Sequence, residues 1–341
     1  MIERFGILES GEEVQAITLG EPGGLQAQVL TYGGILRRLV LPSRAGLQDL
    51  VIALPDLDAY VRDTSFQGIV AGRVANRVAN ACFELSGHTF QLTANDGVHQ
   101  LHGGRLGFGK KLWKVLDLPD TTRQRLLLGL HSPAGEEGFP GNLAVTAEFT
   151  LEGAELRLRF GARCDEATPI NLTWHPYFNL SGDTSRATDE MLLRIPASSY
   201  LPVRDSQLIP TGKIASVHGT AFDFRELRAL RAPTSSTDSQ LVYASGYDHC
   251  WVLDASRDCD AELVSPVSSV RMTVRSDRPG IQFYGGQHLA HVLRELNGVC
   301  LEPQGFPNAV NEPGFPSCII RPEEAYSSSF CYRFESGRYR R

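Results

Sequence analysis

Asn142-Leu-Ala-Val-Thr-Ala-Glu-Phe-Thr-Leu-Glu-Gly-Ala-Glu-Leu-Arg-Leu-Arg-Phe-Gly-Ala-Arg163 decides the fold class. Val145, Ala147, Phe149 and Leu151 recur at every second position, the period of a strand with one buried face. In Glu155–Arg163, Leu156, Leu158 and Phe160 answer them, and Glu152-Gly153 stands where a hairpin turn is needed. Two runs of this length joined by so short a turn pair antiparallel, since a parallel partner needs a long crossover.

The same signals recur outward in both directions. Strand-like runs precede the hairpin at Val14–Leu19, Leu25–Thr31 and Leu36–Leu41, and Ala81–Leu92 reads as a second hairpin with Ser86-Gly87 at its turn. Others follow at Met191–Ile195, His249–Leu253, Val270–Arg275, Ile281–Tyr284, Gly298–Leu301, Cys318–Arg321 and Ser328–Phe334. Helical signals are confined to Asp56–Tyr60 and Phe224–Leu230, and Ala232–Gln240 reads as a surface loop. The βα alternation of a doubly wound fold is absent. The expected fold is all-β, a large antiparallel β-sandwich with few short helices, in a single domain over 1–341.

Composition excludes several functions. The net charge is -6, and the one basic run, Gly337-Arg-Tyr-Arg-Arg341, is too short to act as a nucleic-acid stripe. There is no run of about 18 apolar residues and no apolar segment at Met1-Ile-Glu-Arg-Phe-Gly6, so neither a membrane span nor a signal peptide is expected. Seven cysteines are scattered without a CxxC pair, which fits reduced thiols in a cytoplasmic protein. A monomer or a homodimer is expected.

A second stretch, Asn171-Leu-Thr-Trp-His-Pro-Tyr-Phe-Asn-Leu180, reads as a strand that ends in a site. Ile170, Leu172 and Trp174 alternate with Asn171, Thr173 and His175, and Pro176 removes a donor and holds His175 extended. His175 is expected among Trp174, Tyr177 and Phe178; a core histidine bonded to a carbonyl is the alternative. Four other stretches interrupt the apolar alternation with polar groups. Gly72-Arg-Val-Ala-Asn-Arg77 supplies Arg73, Asn76 and Arg77, forks for hydroxyls or surface ion pairs. Leu101-His-Gly-Gly104 sets His102 where backbone can approach a ligand closely. Gly246-Tyr-Asp-His249 offers Asp248 and His249, or an ordinary turn aspartate. Leu301-Glu-Pro-Gln304 places Glu302 at the end of an apolar strand, where a raised pKa is expected.

Together these motifs resemble the galactose mutarotase (aldose 1-epimerase) family over nearly the whole chain. The resemblance is carried by the Gly72–Arg77, Leu101–Gly104, Gly246–His249 and Leu301–Gln304 motifs, by Thr168-Pro-Ile followed by Asn171–Leu180, and by Gly135–Gly141, Leu208–Gly212 and Pro279–Tyr284, in the family's order. It implies a galactose mutarotase-like supersandwich that binds a free aldohexose and interconverts its α and β anomers. It places Glu302 as general base, His175 as general acid and His102 as the second active-site histidine. Asn76, Arg77, Asp248 and Gln282 fall on sugar-contacting positions. No cofactor or metal is implied. Trp174 and Gln287 depart from the family pattern, leaving the preferred sugar open. The rival functions are a non-catalytic carbohydrate-binding sandwich, a glycoside hydrolase using Asp248 and Glu302, a metal enzyme using His102, His175 and Glu302, and a sugar-phosphate epimerase, which needs a denser cationic pocket than Arg73 and Arg77. For the acid–base pair, ordinary pKa values of about 4.3 and about 6.5 leave a window in which Glu302 is ionised and His175 protonated, widened if a carboxylate raises the histidine.

Overall fold

The alternation over 142–163 becomes two ten-residue strands, Leu143–Glu152 and Glu155–Cys164, in a computed structural model that describes residues 1–43, 46–120, 123–231, 237–289 and 297–337. Ala147 pairs with Phe160, Phe149 with Leu158 and Leu151 with Leu156, so the apolar faces coincide. Glu152 pairs with Glu155, which moves the turn one residue on, to Gly153-Ala154. Gly153 takes φ 57 there, a conformation glycine adopts without strain.

This hairpin supplies the third and fourth strands of a nine-stranded sheet. In spatial order its strands are Lys114–Asp117, Arg125–Ser132, Leu143–Glu152, Glu155–Cys164, Tyr326–Ser336, Val270–Ser276, Ala261–Ser265, Leu192–Arg194 and Arg228–Ala229. The first 49 residues form a five-stranded antiparallel meander from Ile2–Ile7 to Gly46–Asp49. A second five-stranded sheet runs Ala215–Ser216, Ser199–Leu201, Asp248–Val252, Gly280–Tyr284, Cys300–Gln304. One apolar core joins all three, with Ile17 and Val29 from the meander, Phe149, Phe160 and Tyr332 from the large sheet, and Trp251, Phe283 and Leu301 from the third. The architecture is therefore the expected antiparallel sandwich.

The helices described whole are Leu57–Arg62 and Ser239–Ala244, with single 3-10 turns besides. Asp56 caps the first helix by accepting from the Ala59 N–H at 2.8 Å. The helix expected over Phe224–Leu230 does not form. Phe224 turns into the core against Phe283 and Trp251, and Arg228–Ala229 extends the large sheet beside Leu192–Arg194. Tertiary packing overrides weak local propensity there. Of the loop expected over Ala232–Gln240, residues 232–236 lie outside the described residues, and Ser239 and Gln240 open the second helix, capped by Asp238. The basic tail is described only at Gly337. All seven cysteines are free thiols, and no described helix is long and apolar enough to cross a membrane.

The third sheet has two faces with different duties. His249, Trp251, Ile281, Phe283 and Leu301 alternate with Asp248, Cys250, Gln282, Cys300 and Glu302. Trp251, Ile281, Phe283 and Leu301 join the sandwich core, so the second set faces away from it. His249 follows the core set. It packs 4.6 Å from Phe222, and burial pushes its pKa down to about 3. Glu302 does not sit at a strand end as expected. The strand continues through Pro303 to Gln304, because it lies at the sheet's edge, where a missing N–H breaks no ladder bond.

Candidate active site

The polar alternates of Asn171–His175 carry His175 to Glu302. Asn171 exchanges hydrogen bonds with Gly305, accepting from its N–H at 2.8 Å. The Thr173 hydroxyl donates to the Pro303 carbonyl at 2.8 Å. His175, two residues further on the same side, brings Nε2 to 3.6 Å from Glu302 Oε1. Trp174 points the opposite way, contrary to expectation. It is fully buried against Phe149 and Tyr332, and its indole N–H donates to the Gly34 carbonyl. Phe178 joins the same core, so only Tyr177 stays beside His175, with ring centroids 5.0 Å apart.

His102 arrives from a different element. Gln100–Leu101 pairs with Arg77–Val78, and the chain then turns through His102, Gly103 and Gly104, all at positive φ. A Cβ on Gly103 would lie 1.8 Å from the Gly72 carbonyl oxygen, so only glycine allows this close approach. The turn sets the His102 ring 5.1 Å from His175 and 4.7 Å from Phe66. The Asn76 N–H donates to His102 Nδ1 at 3.3 Å. Neutral His102 therefore carries its proton on Nε2, an assignment fixed by the hydrogen-bond network.

These groups line a cavity of about 170 Å³. Asn76, Arg77, His102, His175, Asp248 and Glu302 all reach its wall, joined by Phe66, Tyr177, Tyr284 and His288. Of the seven residues to which the family resemblance gives a role, Gln282 alone stands off the wall. Its amide donates to Asp248 Oδ1 at 2.6 Å, so it braces that carboxylate. Arg77 is shared between Asp96, at 2.8 Å, and Asp248, at 3.8 Å. Arg73 is absent from the cavity. Its guanidinium is consumed by the carbonyls of Pro140 and Gly141 and the hydroxyls of Ser132 and Thr168. Among the described residues, the basic side chains on the wall are Arg77, already paired with Asp96 and Asp248, His288 and the two buried histidines, fewer than a phosphate pocket needs. Gln287, the second departure, also points elsewhere, donating to the carbonyls of Ala244 and Tyr247.

Burial controls the charges. It pushes the Glu302 carboxyl well above the usual range, the Asp248 charge adds to this and Arg77 opposes it. Asp248 is raised too, by burial, against Arg77 and Gln282. Burial takes His175 down to about 4, opposed by its own carbonyl and by Asp63. His102 falls well below the ordinary value through burial, then through His175 and Arg77. A histidine raised by its carboxylate neighbour, the condition for a wider window, is not found: desolvation is the largest influence on His175, and Glu302, itself raised, is not among the groups that oppose it.

His102, His175 and Glu302 offer ligand atoms within 4.8 Å of one another. They do not suit a cation as they stand. With Nδ1 of His102 accepting a backbone N–H, its Nε2 is protonated and has no lone pair to give, which leaves two ligands among the described residues, where zinc wants at least three. Two buried oxygens, Glu302 Oε2 and Gln282 Oε1, have no protein partner among the described residues. A pocket of acceptors, a neutral N–H donor, an arginine and an aromatic face suits a small polyhydroxylated molecule.

Phe66, Tyr284 and His288 were not anticipated. Phe66 lies in a loop at φ 61, placed by the Asp63 carboxylate, which accepts from the N–H groups of Ser65 and Gln67. Asp63 and Ser65 before a glycine are a turn signal, and an aromatic inside such a turn is a site signal.

Comparison with known proteins agrees with this site. A family model described as aldose 1-epimerase matches residues 15–333. The galactose mutarotase of Homo sapiens is 37% identical over 342 residues, 97% of each chain. The aldose 1-epimerase of Escherichia coli (strain K12) is 32% identical over 346 residues, covering 97% of this chain and 98% of that one. The crystal structure of galactose 1-epimerase from Lactobacillus acidophilus NCFM superposes with a TM-score of 0.87 at 28% identity over 99% of both chains. With the sandwich, the buried carboxylate–histidine pair and this match along nearly its whole length, the chain belongs to the aldose 1-epimerase family.

Proposed function

We propose that the protein is a mutarotase, an isomerase that interconverts the α and β anomers of free aldohexoses such as galactose and glucose, with Glu302 as base and His175 as acid. The observation that carries this is the buried pair itself, His175 Nε2 at 3.6 Å from Glu302 Oε1 on the wall of a sugar-sized cavity. Glu302 takes the proton of the C1 hydroxyl as the C1–O5 bond breaks, and His175 Nε2 gives a proton to O5. The aldehyde turns about C1–C2. On closure O5 returns its proton to His175, and Glu302 returns one to O1, so no proton is gained or lost overall. His102 donates its Nε2–H to a sugar oxygen at the reacting end. Asn76, Arg77 and Asp248 fix hydroxyls, and Gln282 acts through Asp248. One domain spans 1–341, supported by a core that runs from Ile17 to Phe334. A cytoplasmic setting is supported by the free thiols. Saturation transfer between the H1 resonances of the two anomers of galactose tests the activity. Exchange faster with protein than with buffer is expected, and equal exchange contradicts it.

The hydrolase alternative asks Asp248 to move protons, but Gln282 and Arg77 hold it as an acceptor. Arg77→Ala is expected to weaken sugar binding by about 10–100-fold, the worth of a hydrogen bond to a charged group. Asp248→Asn is expected to lower turnover as well. It also removes a charge that raises Glu302, so the alkaline limb of the rate profile moves down. Unchanged kinetics on every aldohexose in both variants would remove these residues from the site.

The pH profile follows from the buried pair. The reactive form, Glu302 carboxylate with His175 imidazolium, holds as many protons as Glu302 carboxylic acid with neutral His175. Turnover is therefore highest between the two apparent pKa values of the pair. Burial draws them apart, the lower near 4 and the upper above the ordinary carboxylate range. Below about 4 the pair takes a second proton and no base remains. Above the upper value the last proton leaves and no acid remains. An acid limb near pH 4 is expected in kcat measured from pH 3 to 10. An acid limb near about 6.5, the ordinary histidine value, contradicts this order.

A further inference from the structure

The two site histidines meet opposite kinds of partner at Nδ1. His102 Nδ1 faces the Asn76 backbone N–H, which can only donate. His175 Nδ1 lies 3.5 Å from Cys300 Sγ. A thiol can donate its S–H or accept at sulfur, and it rotates between the two. His102 cannot hold a proton on both nitrogens without setting two donors against each other. His175 can. Cys300 is two residues from Glu302 on the same strand, so period two aims both side chains at the same histidine. The thiol is fully buried among Ile52, Tyr177 and Leu289, and burial keeps it un-ionised.

We propose that Cys300 is a positioning residue for the reaction: its sulfur holds the Nδ1–H of His175 while Nε2 gives its proton to the ring oxygen and takes it back. This rests on the mutarotase assignment above. In the imidazolium, Nδ1–H points to sulfur and Nε2–H to the sugar. After transfer, Nδ1 keeps its proton and its partner, and Nε2 presents a lone pair aimed at the same oxygen for the return step. The ring neither flips nor changes tautomer between opening and closure. Sulfur is a weak acceptor, so the imidazolium stays a strong acid. A carboxylate in the same place would hold the proton and slow its release. Among the described residues, the other ionisable groups facing His175 are Glu302, His102, Tyr177 and Asp63, and the side chain that meets Nδ1 is Cys300; the carbonyl of His175 itself also favours the protonated ring.

Cys300→Ala and Cys300→Ser, assayed for kcat, KM and the pH profile, test the proposal. Cys300→Ala is expected to lower kcat roughly three- to tenfold, the worth of one neutral hydrogen bond, with KM unchanged and the acid limb moved down. Cys300→Ser restores an acceptor. Its hydroxyl oxygen accepts more strongly than sulfur, so kcat is expected to recover and the acid limb to move up. A purely packing role would alter stability in both variants and leave the limb in place. Wild-type kcat and an unmoved limb in Cys300→Ala overturn the proposal, as does equal loss of turnover in both variants with the limb unmoved. If Glu302→Gln and His175→Asn are inactive while Cys300→Ala behaves as wild type, only the role of the thiol fails. If those two variants keep their activity, the mutarotase assignment of the pair fails with it.

Discussion

Glu302→Gln is expected to fold, to bind galactose and to lose turnover by about 10²–10⁴-fold, the usual worth of a general acid–base group. The amide has the shape of the carboxylate it replaces and fits the same strand position, where the side chain is 2% exposed. It cannot take a proton. Among the described residues Oε2 has no partner to lose, so the change breaks no hydrogen bond there at that atom. Burial and Asp248 both penalise a charge on Glu302, so removing the titratable group is expected to leave the melting temperature equal or higher. Calorimetry reports binding and thermal denaturation reports folding. Near-normal turnover in a folded, sugar-binding Glu302→Gln protein would remove Glu302 as the base.

His175→Asn is expected to cost turnover by the same order, about 10²–10⁴-fold. Asparagine retains a donor near the position of the ring but exchanges no proton at neutral pH. The double variant Glu302→Gln/His175→Asn is expected to be little worse than either single one, because the two groups act in one step and neither is useful alone. Losses that multiply would mean that the residues serve separate steps. His102→Asn offers a contrast. Since His102 stays neutral with its Nδ1 on the Asn76 N–H, its replacement is expected to act mainly on binding.

The sandwich was legible wherever one face of a strand was buried over several residues. Leu143–Glu152 and Glu155–Cys164 show the full alternation, and their register follows from it. Strands of two or three residues, such as Ser199–Leu201 and Ala215–Ser216, are too short to have a period. The strand expected over Gly298–Leu301 lies at Cys300–Gln304, because an edge tolerates Pro303, and edge position is a property of the sheet. Asp56 announced its helix through its cap. Asp238 could have done the same before Ser239–Ala244.

The site was legible as a set of residues and less so as an arrangement. Alternation along Asn171–His175 already put Trp174 and His175 on opposite faces, so grouping them as neighbours conflicted with the period that located them. The departures at Trp174 and Gln287 therefore touch the core and a loop rather than the sugar. Gln282 is paired with Glu302 in register, yet its amide turns to Asp248, a choice no sequence spacing reports. Arg73 and Arg77 look alike in Gly72–Arg77 and have different fates, one locked among carbonyls and one on the cavity wall. The inverted pKa order arises from burial that only the closed sandwich creates.

The most direct test of the central claim is the optical rotation of freshly dissolved α-D-galactose, followed in parallel with α-D-glucose, with and without the protein. The rotation is expected to reach its equilibrium value faster with the wild-type protein than in buffer, and at close to the buffer rate with Glu302→Gln. Decay at the buffer rate with wild-type protein that binds the sugar would make this chain a carbohydrate-binding sandwich and contradict the assignment of Glu302 and His175.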